Sequence, residues 1–183
     1  MNKHLLLILS ILSILLFSAC DDSETIDDSW RTGNEAQFEL ITNNSQYTKL
    51  NSQAGSGFIM YKVIDTGTGT RSPYFNEKVK VKYTGWYKYD WSKPDTYTDD
   101  KGNFITNKII FDTTSKNNIA RTFEVKGVVD GFSTALQNMK VGDKWEVWIP
   151  WKLGYGANAS STIKGYTTLV FEIELVEIID ESY

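Results

Sequence analysis

The sequence predicts an α+β fold: a curved antiparallel sheet, a half-barrel of about five strands, wrapped around one short helix, with a helical extension on its N-terminal side. Three observations predict it. Residues 78–83, 144–150 and 168–178 alternate apolar and polar side chains with period two, the pattern of strands with one buried and one solvated face. A single helical stripe interrupts them, with Phe132, Ala135, Leu136 and Met139 at i, i+3, i+4 and i+7. A sheet that is apolar on one face needs a cover, and within the strand-rich region only this stripe has the character to provide it.

The elements follow in chain order. Residues 1–19 read as a signal peptide: a short polar start with Lys3 and His4, an apolar run from Leu5 to Phe17, then small Ser18 and Ala19. "LFSAC" resembles the lipobox of bacterial lipoproteins, in which the Cys, here Cys20, is acylated and becomes the first mature residue. The alternative is a plain secreted protein with a Cys near the cut. Residues 20–29 carry mostly acidic and small side chains and are expected to be a flexible tether. Acidic residues directly after such a Cys resemble a surface-export signal in one bacterial phylum and an inner-membrane retention signal elsewhere; a solvated spacer is the third reading. Residues 30–56 form an extension. Trp30 to Asn43 has helical spacing in Ala36 and Leu40 and in Phe38 and Ile41, and a Ser/Asn/Gln/Gly-rich linker follows.

The compact domain is expected at 57–183. "FIMYKVI" (58–64) is strand-like and ends at the turn "DTGTGT". "KVKVKY" puts Val79, Val81 and Tyr83 on one face and three Lys on the other. "KWEVWIP" turns Trp145, Val147 and Ile149 inward, and "TLVFEIELVEI" does the same with Leu169, Phe171, Ile173 and Leu175. An inserted hairpin is expected at 86–108, with "DDKGN" as its turn. Asp95, Asp99 and Asp100 lack the alternating spacing of a calcium loop, so an aromatic hairpin beside the site is the favoured reading, with an extra surface for unfolded chains or a partner as its expected use.

Composition removes several kinds of chemistry. One Cys allows no intrachain disulfide and no thiolate cluster. The one His, His4, lies in the segment that cleavage would remove, so the mature chain has neither a Ser–His nor a Cys–His pair. Loss of Lys3 leaves 18 basic against 23 acidic side chains and no basic stripe, which argues against nucleic acid as a partner. Six Trp and ten Tyr are more than a core needs and point to an aromatic-lined surface or pocket.

Five strings then appear in order: "VKVKYTGW" (79–86), "IFDTT" (110–114), "VVDGFSTALQNMKVGDK" (128–144), "GYGA" (154–157) and "GYTTLVFEIELVEI" (165–178). Together they resemble the FKBP-type peptidyl-prolyl cis-trans isomerases, over roughly residues 57–178. The whole chain is similar to lipoprotein members of that family from Gram-negative bacteria. The resemblance implies an enzyme that isomerises X–Pro bonds of envelope or secreted polypeptides without cofactor or metal. The anchor would be a lipid at Cys20, the site the cell envelope, with the outer membrane favoured over the inner, and the default state a monomer. Carried over residue by residue, Tyr83, Asp112 and Tyr155 are the expected catalytic groups, with Asp112 polarising the bound amide and Tyr155 offering its hydroxyl to a carbonyl. Phe111 would be a wall and Phe132 the floor. Val128 and Val129 match the family's aliphatic pair, with the Val129 N–H donating to substrate. Ile163 and Phe171 would close the far side.

Other readings stand beside these. Tyr83, Phe111 and Phe171 also suit an ordinary core; Asp112 suits a turn cap and Asp130 a helix N-cap. Phe132 replaces the Trp usual in the family, and "STIKGYT" lacks the family's prolines. Both departures favour a weakly catalytic binding module or chaperone as the alternative. Lys116 and Arg121 both remain open as the cation that pairs with Asp112.

Overall fold

The computed structural model describes residues 22–158 and 162–179. The expected signal peptide and Cys20 lie outside these residues. Helix α1 (Asp22–Thr42) is followed by strands β1 (Thr48–Asn51), β2 (Phe58–Asp65), β3 (Lys78–Lys88), β4 (Thr96–Thr98), β5 (Phe104–Thr106), β6 (Lys108–Thr113) and β7 (Arg121–Glu124), helix α2 (Asp130–Leu136), and strands β8 (Lys144–Ile149) and β9 (Leu169–Ile179).

Seven strands form one antiparallel sheet in the order β1-β2-β8-β9-β3-β6, with β7 also on β3. Its central strand is β3, whose inward residues Val79, Val81, Tyr83, Gly85 and Tyr87 are all buried. One edge of β3 pairs with β9 from Lys78 to Trp86. The other edge is shared, with Lys78–Val81 on β7 and Thr84–Lys88 on β6. The concave face of the sheet collects Ile59, Val79, Val81, Val147, Ile149, Ile173 and Leu175 around Phe132, Ala135, Leu136 and Met139. Burying such side chains contributes roughly 1.5–3 kcal/mol each. That burial explains why a helix of seven residues, far too short to persist alone, forms here. Its entry is tight: a Cβ on Gly131 would lie 2.4 Å from Ile149 Cγ2. Val129, not Asp130, occupies the N-cap. The Val129 carbonyl accepts from the N–H groups of Phe132 (2.9 Å) and Ser133 (3.0 Å), so Asp130 is already inside the first turn.

The structure corrects several sequence expectations. The α+β class with a curved antiparallel sheet around a short helix is as expected, but the sheet has seven strands where about five were expected. Residues 22–29, expected as a tether, belong to α1. The expected linker contains β1, an edge strand paired to β2 from Thr48↔Tyr61 to Asn51↔Phe58. Polar composition concealed it because an edge strand is mostly solvated. The outer face of the sheet is not uniformly wet either. Met60, Trp148, Val170 and Trp86 stand in register across β2, β8, β9 and β3. Phe38 and Ile41 of α1 pack on that row, joined by Trp91 from the insert. Leu40, of the other expected pair, is 66 % exposed.

The insert closes on itself and on α1. Buried Asn107 donates to the carbonyls of Asp90 (2.8 Å) and Pro94 (2.8 Å) and accepts the Asp90 N–H (2.9 Å). At the tip, the Asp99 carboxylate accepts N–H groups of Lys101 (2.9 Å) and Asn103 (2.8 Å), which is turn chemistry. Trp91 lies 5.3 Å from Trp148 and 6.0 Å from Trp86, so this aromatic helps to cover the outer side of the sheet.

One buried amide ties the layers. Asn34, 1 % exposed, accepts from the Thr168 N–H (2.9 Å) and Trp91 Nε1–H (3.2 Å) and donates to the Trp30 carbonyl (2.9 Å). Asn34→Ala removes the acceptor of the buried Thr168 N–H and of the half-buried Trp91 Nε1–H and should cost about 2–3 kcal/mol, lowering Tm by roughly 5–10 °C in thermal unfolding, whereas Leu40→Ala should leave Tm nearly unchanged. Equal small shifts would mean α1 is not held in this way.

Candidate functional site

At one end of the concave face a hollow of ≈ 230 Å³ is lined by Tyr83, Phe111, Asp112, Phe123, Gly127, Val128, Val129, Phe132, Tyr155 and Phe171. Eight of the nine site residues expected from sequence therefore converge. Ile163 does not line it; it is 3 % exposed within the core.

The floor follows from α2. The Phe132 ring meets Phe171 edge-on at 5.1 Å and Tyr83 at 5.9 Å, and Phe111 stands perpendicular to Phe171 at 5.4 Å. Such edge-to-face pairs hold rings in fixed orientations. Gly85 makes the close approach possible: a Cβ there would lie 2.5 Å from Phe171 Cε1 and 2.7 Å from Phe111 Cζ.

The polar wall follows from a bulge. Consecutive residues of a regular strand face opposite sides of the sheet. In β6, Asp112 pairs with Gly85 and Ile110 with Trp86, leaving Phe111 as the extra residue. The bulge brings both Phe111 and Asp112 to the hollow. The Tyr83 hydroxyl donates to Asp112 Oδ2 at 2.5 Å and accepts from Arg121 Nη1 at 2.8 Å; the same Nη1 donates to Asp112 Oδ1 at 2.9 Å. Arg121 is thus the cation beside Asp112, the alternative that sequence left open against Lys116. Its register opposite Val81 on β7 delivers it. The Arg121–Asp112 pair is half-exposed, so it fixes geometry more than it adds stability.

Burial, then the hydrogen bond to Asp112, push the Tyr83 phenol well above its ordinary range, and it remains a protonated donor. Tyr155 is also raised, by burial first and then by the charge of Asp112. Its side chain remains 45 % exposed at the rim. The Val129 N–H has no acceptor among the described residues. The wall of the hollow is aromatic and aliphatic, with one carboxylate, two phenols and a guanidinium at its edge. Among the described residues its lining includes neither a thiol nor an imidazole. It can seat a small apolar ring, orient carbonyl groups and exclude water. Covalent catalysis has no nucleophile–base pair here.

Sequence reasoning missed Phe123, Gly127 and the assignment of Arg121. A signal for two of them existed: Arg121 and Phe123 are two apart on one strand, so both sides of the short "RTFE" alternation point the same way, and Phe123 reaches Tyr83 at 5.8 Å. Gly127 has no side chain to signal. Two wider grooves of ≈ 530 and ≈ 620 Å³ flank α1, but neither gathers groups in this convergent manner.

The family model described as FKBP-type peptidyl-prolyl cis-trans isomerase matches residues 69–176. The FKBP-type 22 kDa peptidyl-prolyl cis-trans isomerase of Escherichia coli K12 is 34 % identical over 142 residues, covering 77 % of this chain and 59 % of the relative. Outer membrane protein MIP of Legionella longbeachae is 33 % identical over 121 residues, 66 % of this chain and 44 % of its own. The chain spans about half the length of the curated relatives it matches. A solved peptidyl-prolyl cis-trans isomerase from Pseudomonas syringae pv. tomato superposes with a TM-score of 0.56 at 27 % identity, covering 85 % of this chain and 92 % of the other. FkpA from Escherichia coli shares the fold, with a TM-score of 0.62 at 23 % identity over 87 % of this chain and 65 % of its own.

Gly85→Ala should push Phe111 and Phe171 apart. Thermal unfolding should show a loss of about 1–3 kcal/mol, and affinity for a proline-containing peptide should fall with it. Unchanged stability and affinity would show that the wall does not depend on that close approach.

Proposed function

The chain belongs to the FKBP-type peptidyl-prolyl cis-trans isomerases, and on that premise we propose that it catalyses rotation about X–Pro bonds of polypeptides in the hollow over Phe132. The observation that carries this reading is the buried Tyr83 hydroxyl bound at once to Asp112 and Arg121 beside an aromatic floor. At ≈ 230 Å³ the hollow is smaller than the roughly 300–1,000 Å³ of drug-sized sites, which suits one prolyl ring with its flanking chain outside.

Rotation about an amide opposes a barrier of ~18–20 kcal/mol because it breaks resonance. Uncatalysed X–Pro exchange takes tens to hundreds of seconds. No bond to substrate needs to form. The planar amide is the more polar form, so an apolar cavity disfavours it relative to the twisted state. The unoccupied Val129 N–H would hold one carbonyl and the Tyr155 hydroxyl another. Asp112, kept in place by Tyr83 and Arg121, would face the turning carbonyl carbon. Phe111, Val128 and Phe171 would exclude water. Each ~1.4 kcal/mol of preference for the twisted state is worth tenfold in rate.

The setting is part of the proposal. Acylation at Cys20 would anchor the protein in the cell envelope, with the outer membrane favoured, where secreted or envelope polypeptides would be its substrates. The name of the Legionella relative as an outer membrane protein supports this. Among the described residues no helix is long and apolar enough to cross a membrane.

A protease-coupled assay on an Xaa–Pro peptide tests the reading. Wild type should accelerate isomerisation. Asp112→Ala and Tyr83→Phe should each lower kcat/KM by about tenfold or more, and Tyr155→Phe by less, because one neutral hydrogen bond is at stake. Burial and Asp112 raise Tyr83 against the lowering by Arg121, and Tyr83 and Asp112 raise Arg121, so neither loses its proton near neutrality and kcat/KM should be flat from about pH 6 to pH 9 rather than bell-shaped. A rate no better than background, or a bell-shaped profile in that range, would contradict the mechanism.

A further inference from the structure

Helix α1 lies outside the residues matched by the family model, yet it touches the chain that carries Tyr155. Two successive turns of the helix contribute. Trp30 Nε1–H donates to the Gly165 carbonyl at 3.0 Å. The Arg31 guanidinium lies 5.0 Å from the ring centre of Tyr166 and 5.7 Å from that of Trp151. Glu35 Oε1 accepts from Trp151 Nε1–H at 3.0 Å and from Arg31 Nε–H at 3.0 Å. Trp151 and Tyr166 meet edge-on at 4.9 Å beneath that guanidinium.

Those three anchor points hold the two ends of the segment in which Tyr155 sits. The Tyr166 N–H donates to the Gly156 carbonyl and the Gly156 N–H to the Trp151 carbonyl, both at 2.9 Å. Gly165 lies so close to Ala157 that a Cβ would come within 1.9 Å of its carbonyl oxygen. Tyr166 adopts φ 61°, a left-handed conformation unusual for an aromatic residue, which needs surrounding contacts to persist. Tyr155 therefore hangs on a strip of backbone that is fixed at Gly156 by Tyr166, and Tyr166 is fixed by α1.

We infer that Trp30, Arg31 and Glu35 are positioning residues for substrate selection: by clasping Trp151, Gly165 and Tyr166 they set where Tyr155 stands over the hollow, and hence which residue before proline the site accepts. The inference rests on the isomerase reading for its substrate. The same contacts explain why α1 is joined to the domain at this rim as well as along the outer face. Among the described residues no hydrogen bond or ring pair joins the clasp directly to Tyr83, Asp112, Arg121 or Phe132; Trp30 reaches the wall only through Tyr87, which stacks on Phe111.

The test uses the full chain with Trp30→Phe, which keeps a ring but loses the donor, and Glu35→Gln, which keeps the size but loses the charge. Amide hydrogen exchange is followed over 151–166, and kcat/KM is measured on a series of peptides varying the residue before Pro. Exchange at Gly156 and Tyr166 should quicken by about fivefold, the loss of one neutral hydrogen bond, and the ratio of kcat/KM between bulky and small residues before Pro should shift by a similar factor. A merely structural role would scale all peptides equally through the folded fraction and would leave the ratio fixed. Unchanged exchange across 151–166, or equal losses on every peptide, overturns the inference. If wild type itself turns over no peptide, the isomerase reading fails instead, and the exchange measurement alone then decides whether α1 restrains the Tyr155 segment.

Discussion

The Tyr83 hydroxyl, donating to Asp112 and accepting from Arg121, is the contact on which the rest depends. Its three residues come from β3, β6 and β7, which meet where β3 changes partner along one edge. At 6 % exposure the phenol is costly to bury without partners, and both partners sit at the rim where water reaches them. The backbone reinforces the junction: the Tyr83 N–H donates to Thr114 Oγ1, and the Thr114 N–H donates back to the Tyr83 carbonyl, each at 2.9 Å. One junction thus closes the sheet around α2 and aims a carboxylate at the hollow.

The second constraint works on the opposite face. A sheet curved enough to enclose a helix exposes its convex side, and in this chain that side carries Trp86 and Trp148 beside Met60 and Val170. Helix α1 and the insert cover the apolar half, and Asn34 joins both to Thr168 just before β9. The other half remains charged, with Lys80 paired to Glu177 at 2.7 Å and Lys144 to Glu172 at 3.1 Å. The division explains how β3 and β9 read as half-wet strands in sequence and yet support two cores.

The inward residues of β3, β8 and β9 and the stripe of α2 were legible from periodicity because burial on one face imposes period two on strands and 3.6 on helices. Tyr83, Phe111, Asp112, Val128, Val129, Phe132, Tyr155 and Phe171 were legible only through family strings; nothing in local spacing says that a bulge at Phe111 brings two successive residues to one side. The "RTFE" alternation puts Arg121 on one face with Phe123, but that this face meets Tyr83 and Asp112 depends on the register of a four-residue strand after a loop. Ile163 packs in the core and does not line the hollow, a distinction that sequence does not carry because an aliphatic residue in a loop suits a core and a pocket equally well. Acidic 22–29 looked like a tether and β1 like a linker because solvated helix ends and edge strands share the polar composition of loops.

The central claim is that a prolyl ring binds over Phe132 with its amide turned against the Tyr83–Asp112–Arg121 wall. A crystal structure with a bound Xaa–Pro peptide tests it most directly. The account predicts the ring seated among Phe111, Phe132 and Phe171, with a peptide carbonyl accepting from the Val129 N–H. Density for the peptide in a groove beside α1, with the hollow vacant, would contradict it.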